Sequence, residues 1–197
     1  VKEELLAYLI GRGRVNTVEI RKIAADEAQG SETLRRIPAK DLNDYYLTRI
    51  AQTYIPDELA QQDAVAASHA QVVFEVLIRK FDNHKDNQVE SFGLPVMFDN
   101  ATGFKPYLLS IREFMPAYHT HSRNRLADPI YGEHDIRLIQ KSVGKFQNLN
   151  FAALAYEAGY RGREFKAIAQ FLKVASAGLE ADVKKLFNYL DSREASG

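Results

Sequence analysis

The sequence predicts an all-α protein, and three observations carry that expectation. In the C-terminal third, Phe165, Ile168, Leu172, Leu179, Val183, Leu186 and Leu190 keep helical spacing over some 26 residues. A second long run, from Asp57 to about Phe81, places Leu59, Val65, Val72, Val73, Val76 and Leu77 inward on one face. No apolar and polar alternation persists long enough to mark a half-buried strand.

Taken in order, the elements begin with a short apolar patch, Leu5, Leu6, Leu9 and Ile10, closed by the break Gly11-Arg12-Gly13-Arg14. A second short helix is expected over Thr17–Ala28, on the weak anchors Val18, Ile23 and Ala24. These two elements bury little against each other, so residues 1–38 are expected to form an arm that needs a partner surface. From Pro38 the pattern thickens, with Leu42, Tyr45, Tyr46, Ile50 and Tyr54 on one helical face until Pro56. After the long run to Phe81 comes the polar, turn-rich DNHKDNQVES, and then Gly93-Leu94-Pro95 with VMF reads as a brief extended piece. Pro106 is placed to start a helix carrying Leu108, Leu109, Ile111 and Phe114. Pro116 and Pro129 bracket the strip AYHTHSRNRLADPIYG, where helix is expected to break or kink. The apolar helix FAALAYEAG follows, then RGREFK and the amphipathic C-terminal run, with Gly178 as a bend.

Composition limits the function. With 46% apolar residues among 197, the chain can build a sizeable core in one large domain or one and a half. No run approaches the roughly 18 apolar residues that span a bilayer, so no membrane role is expected. Cysteine is absent, which excludes disulfides and thiolate metal sites and fits a reducing compartment. Opening on Val1 rather than Met, the sequence is expected to be a processed product or part of a longer chain. The 26 basic and 26 acidic residues cancel, but unevenly: residues 1–100 hold 12 against 16, and 101–197 hold 14 against 10. Between Arg137 and Lys173 seven basic residues face only two acidic ones, Glu157 and Glu164, so a polyanion site belongs in that half. Halves of opposite sign also suit identical subunits stacked head to tail.

Catalytic and metal motifs do not assemble. His119 and His121 are two apart, which separates them on a helix, and His69, His84 and His134 are scattered. Glu133-His134-Asp135 reads as the acidic first turn of a helix after Gly132. Gly11-Arg12-Gly13-Arg14 lacks the preceding strand and third glycine of a phosphate-cradling loop. No cofactor, metal or enzyme activity is expected. Short helices flanking Gly30, near Arg35 and Arg36, allow a helix-turn-helix, although the apolar pattern there is thin.

Binding chemistry is richer. Arg123 and Arg125 offer planar forks for phosphate, and Tyr118 and Tyr131 offer rings for stacking, in a strip broken by Asp128-Pro129. Basic strip, buried helix and second basic strip together suggest a groove for a phosphate backbone.

That strip, preceded by FKPYLLSIREFM (104–115) and followed by FAALAYEAG (151–159), resembles the core of the coat proteins of flexible filamentous plant viruses, the potyvirus and potexvirus groups. The matching parts are Lys105-Pro106, Tyr118, Arg123-Asn124, Ile130-Tyr131-Gly132, Phe151 to Glu157, and Arg163 to Phe187. GLPVMFDN (93–100) resembles the Gly-x-x-Val-Met segment of the potyvirus group. The resemblance runs in order over about residues 40–190. It implies a helical-bundle core (39–190) between an N-terminal arm (1–38) that packs on a neighbouring subunit and a C-terminal arm beginning at 191–197. It implies polymerisation of identical subunits around single-stranded RNA, in a virion and the host cytoplasm. On this reading Arg123 takes the place of the family's RNA-pocket arginine, with Arg125, Lys105, Arg161 and Arg163 near the RNA and Ser91 or Gln88 nearest to the pocket's serine. The sequence departs from the family where an aspartate is expected, having Leu154 or Ala155, so Glu157 or Asp128 is left to hold Arg123. Leu5, Leu6, Leu9 and Ile10 are expected to dock on the next subunit. Net neutrality lets subunits stack while a local basic groove neutralises phosphate. The competing readings are a nucleocapsid protein of another RNA virus type, and a small all-α regulator or adaptor that binds a protein through its C-terminal helix.

Overall fold

A computed structural model describes residues 2–15, 19–22, 46–49, 64–82, 88–91, 94–97, 103–104, 110–121 and 133–196. These residues are dominated by helix: α1 (Lys2–Gly11), α2 (Ala64–Ile78), α3 (Ile111–His121), α4 (Glu133–Gln147), α5 (Phe151–Glu157), α6 (Gly162–Ala177) and α7 (Leu179–Ser196). Two antiparallel strand pairs accompany them. β1 (Glu19–Lys22) pairs with β2 (Tyr46–Arg49) in the register Ile20 to Thr48, and β3 (Gln88–Ser91) with β4 (Leu94–Met97) in the register Val89 to Val96.

Helix α2 is the centre of the core. Its sequence is apolar nearly all round, the mark of a helix covered on every side. Every residue from His69 to Lys80 is buried. Helices α4, α6 and α7 pack around it together with β4, while α3 lies on α7 and α5 lies on α6. The facing helices present matched stripes: Ile139, Val143 and Phe146 on α4, Ile168, Leu172 and Ala175 on α6, and Leu179, Val183 and Leu186 on α7, all buried. Phe74 and Phe146 meet with ring centroids 6.1 Å apart, and each fully covered ring is worth about 1.5–3 kcal/mol over exposure.

Helix α2 ends at an arginine. Arg79 has φ 59°, and Lys80 N–H bonds the Glu75 carbonyl at 2.9 Å while Arg79 N–H bonds Val76 at 3.3 Å. That pair of bonds closes a helix with a left-handed residue, a place normally taken by glycine. A side chain there costs about 1–2 kcal/mol, and the contacts of Arg79 offset it. Nη1 donates to the Val76 carbonyl, Nη2 donates to Asp182 Oδ2 at 3.1 Å, and the guanidinium lies 5.8 Å from the ring centroids of both Phe114 and Phe171. Burial pushes the guanidinium's pKa below its ordinary value and Asp182 pushes it back up. One cation thereby ties α2, α3, α6 and α7 together.

The structure corrects several expectations. Leu6, Leu9 and Ile10 are buried in this chain's own core and Leu5 is packed against it, so the α1 patch is covered within the subunit rather than offered to the next one. Its cover comes from distant sequence, which a reading confined to residues 1–38 does not contain: α1 packs on α5, and Gly11 approaches Phe74 so closely that an added Cβ would stand 3.3 Å from the ring. The Gly11–Arg14 break caps α1, with Arg14 Nη1 donating to the Ile10 carbonyl at 3.2 Å and Nε to the Lys145 carbonyl at 3.1 Å. Strands β1 and β2 stand at 19–22 and 46–49, inside segments where helical spacing was expected, while Gly30, Arg35 and Arg36 of the helix-turn-helix lie outside the described residues. Ile20, Tyr46 and Thr48 are residues that favour pleated backbone, and pairing supplies the hydrogen bonds that single-segment periodicity does not foresee. Helix α3 runs through Pro116. The bond lost there is to the carbonyl of Arg112, an exposed residue that water can serve.

Other expectations agree. Helix α4 starts at Glu133 directly after Gly132, α5 occupies Phe151–Glu157, β4 fills the extended piece, and Gly178 separates α6 from α7.

Candidate nucleic-acid interface

The residues expected to bind RNA fall into three groups. Lys105, Arg123, Arg125 and Tyr131 lie outside the described residues. Ser91 ends β3, where it pairs with Leu94 of β4. Tyr118, Arg161 and Arg163 are described in full, and they do not share one surface. The Tyr118 ring is 3% exposed and packs 5.4 Å from Phe114, one turn back on α3. It is a core ring and offers no stacking face. The basic strip misled here because Tyr118 shares its helix face with Phe114 rather than with its polar neighbours.

Arg161 and Arg163 stand at a corner between α5 and α6. Asn150 caps α5, its Oδ1 accepting from Ala153 N–H at 3.1 Å. Phe151 and Ala155 turn inward. The helix closes with Gly159 in the left-handed region at φ 103°, Tyr160 N–H bonding Ala155 at 3.0 Å and Gly159 N–H bonding Tyr156 at 3.1 Å. Gly162, at φ 60°, then turns the chain into α6. Between the two glycines Arg161 is extended, and its Nη1 donates to the Tyr156 carbonyl at 2.6 Å and the Tyr160 carbonyl at 2.7 Å. A cation suits this place, because carbonyls at the end of α5 carry negative partial charge. The guanidinium also lies 3.5 Å from the centroid of the Tyr156 ring. Tyr156 is 57% exposed and meets Phe165 edge-on.

Along α6, Arg163, Lys166, Gln170 and Lys173 follow at intervals that keep them on one stripe. All four are exposed, and the stripe runs about 15 Å at 1.5 Å per residue. Residues 158–173 contain a single carboxylate, Glu164, and it is engaged by Lys2 of α1 at 2.6 Å. Beside the stripe an open groove of about 500 Å³ is lined by Asn150, Phe151, Phe165, Lys166, Gln170 and Lys173 among others. Two lysines beside apolar and aromatic carbon in its lining give a place where phosphates can be neutralised while a base covers apolar surface. In sequence Lys166 and Lys173 stand out only as part of a charge excess. Their common stripe was legible in the i, i+7 spacing, but the groove depends on how α5 folds back on α6.

Elsewhere the described residues show less that binds. His119 and His121 pack against the rings of Tyr189 and Phe81, and no group of three or more metal-ligating side chains forms among the described residues. No described helix is long and apolar enough to cross a membrane. The apolar stripe of α7, through which an adaptor would bind a partner, is covered by α2, α3 and α4.

Comparison with known protein families, with curated proteins and with solved structures finds no match.

Proposed function

We propose that this chain is a structural capsid subunit that binds single-stranded RNA without reading its sequence and polymerises with copies of itself into a flexuous filament. The observation that carries the reading is the exposed stripe Arg163, Lys166 and Lys173, with the Tyr156–Arg161 pair at its start and a groove lined in part by Phe165 beside it, and with Glu164 paired to Lys2. Lysine and arginine of this kind grip phosphate whatever the base, and exposed rings accept any base face. Overall neutrality supports the polymer, since subunits without net charge do not repel when stacked. The ordered resemblance over residues 40–190 supplies the filament, and from it Arg123, Arg125, Lys105 and Tyr131 join the RNA contacts. The helical core and its arms follow the same resemblance, except that α1 belongs to the core.

Fluorescence anisotropy with labelled oligouridine and oligoadenine tests the binding. Affinity is expected to fall steeply with salt and to differ little between the two strands. Removing Arg163, Lys166 and Lys173 together is expected to flatten the log–log salt slope by about 2, from roughly 0.7 per phosphate contact. An unchanged slope places the RNA elsewhere. Negative-stain microscopy of chain mixed with RNA then separates flexuous filaments from the beads or rings of another nucleocapsid type and from free subunits.

A further inference from the structure

Lys2 is remote in sequence from the α5–α6 corner yet ends there. Its Nζ bonds Glu164 Oε2 at 2.6 Å and sits 5.1 Å from the centroid of the Tyr160 ring. Its stem lies along Gly159, where an added Cβ would be 3.8 Å from Lys2 Cγ and Cδ. Tyr160 is itself buried, so the lysine rests on a fixed surface. The rest of α1 is anchored by Leu6, Leu9 and Ile10 in the core. The position of Lys2 therefore reports whether α1 is seated.

Glu164 occupies the first turn of α6, one residue after Arg163 and two before Lys166. It is the only carboxylate between residues 158 and 173; the next toward the N-terminus is Glu157, at the end of α5. An uncompensated Glu164 would repel phosphate arriving at either neighbour and would compete with it for their charge.

We propose that Lys2 is a positioning residue for the polyanion site: by engaging Glu164 it strengthens the cation surface of the corner when α1 is seated. RNA binding and α1 docking are thus coupled, and by linkage each favours the other. The inference rests on the RNA-binding reading above and adds its regulation.

The test compares the full chain with Lys2→Ala, Glu164→Gln and the double variant, using labelled oligouridine and a salt series. Lys2→Ala is expected to weaken binding on the order of 3–10-fold at low salt and to flatten the salt slope by about 0.7, the effect of one lost contact. Glu164→Gln is expected to bind at least as tightly as the unmodified chain, and adding Lys2→Ala to it should change affinity less than about twofold, because the neutralised acid is gone. Lys2→Arg should restore ordinary binding, which separates lost charge from misfolding. Hydrogen exchange at the α1 amides should slow when RNA is added.

Equal losses from Lys2→Ala in both backgrounds would mean that Lys2 touches phosphate itself, and would overturn the coupling. So would an unaltered affinity for Lys2→Ala in the unmodified chain. If the unmodified chain binds no oligouridine, the RNA reading falls and takes this inference with it; if it binds without dependence on Lys2 and Glu164, only the inference falls.

Discussion

Replacing Asp182 by alanine should destabilise the fold, because it strands a buried cation. The Arg79 side chain is 7% exposed and Asp182 14%, so truncation leaves a cation with little access to water. Breaking such a buried pair typically costs about 3–5 kcal/mol. The lower end applies here, because the Val76 carbonyl and the rings of Phe114 and Phe171 remain around the guanidinium. For a chain of this size each kcal/mol moves the melting midpoint by roughly 2–4 °C, so about 3 kcal/mol corresponds to roughly 6–12 °C. Thermal melts followed by far-ultraviolet circular dichroism read the shift. A double variant, Arg79→Met with Asp182→Leu, should recover much of the loss, since it removes the stranded charge as well as its partner. A midpoint within about 2 °C of the unmodified chain for Asp182→Ala would refute the reasoning, because Arg79 would then have found water or another acceptor at no cost.

Three further outcomes follow from local geometry. Gly11→Ala places a Cβ 3.1 Å from Val15 Cγ2 and 3.3 Å from the Phe74 ring; with Phe74 fully buried, overpacking should exceed the helix-propensity gain and cost about 1 kcal/mol in urea unfolding. Asn150→Ala removes the α5 cap and should cost about 1 kcal/mol in the same assay. The side-chain bond from Gln140, followed by Lys184, holds the Glu180 carboxyl below its ordinary pKa. Its contribution to stability is therefore present above the unfolded value of 4.5 and is lost as pH falls through the lower folded value. Carboxyl NMR titration should show a depressed midpoint that Gln140→Ala raises.

The parts of the fold legible in sequence are those governed by spacing within one segment. Helices α5, α6 and α7 were readable because Phe151, Ile168, Leu172, Val183 and Leu186 recur at helical intervals, and Gly178 divides the last two. What segment periodicity does not encode is which distant surface covers a patch. Leu6, Leu9 and Ile10 announce a need for cover, but it is packing on α5, with Phe74 of α2 close against Gly11, that accompanies their burial within the subunit. Four-residue strands such as β1 and β2 are too short for alternation to register. Arg79 and Asp182 are 103 residues apart, so nothing local marks their pairing, although an Arg-Lys sequence after VVFEVLI does signal a helix end. The candidate site divides the same way. Its charge was visible as an excess between Arg137 and Lys173, whereas the groove required α5 to fold back at Gly159 and Gly162.

Ultraviolet cross-linking of the full chain to single-stranded RNA, with the attached peptides identified by mass spectrometry, tests the central claim most directly. The account predicts adducts on Tyr156 and Phe165, in peptides that include the Arg163–Lys173 stripe, and their loss when Arg163, Lys166 and Lys173 are neutralised. Adducts confined to other surfaces, or unchanged by that neutralisation, would contradict it.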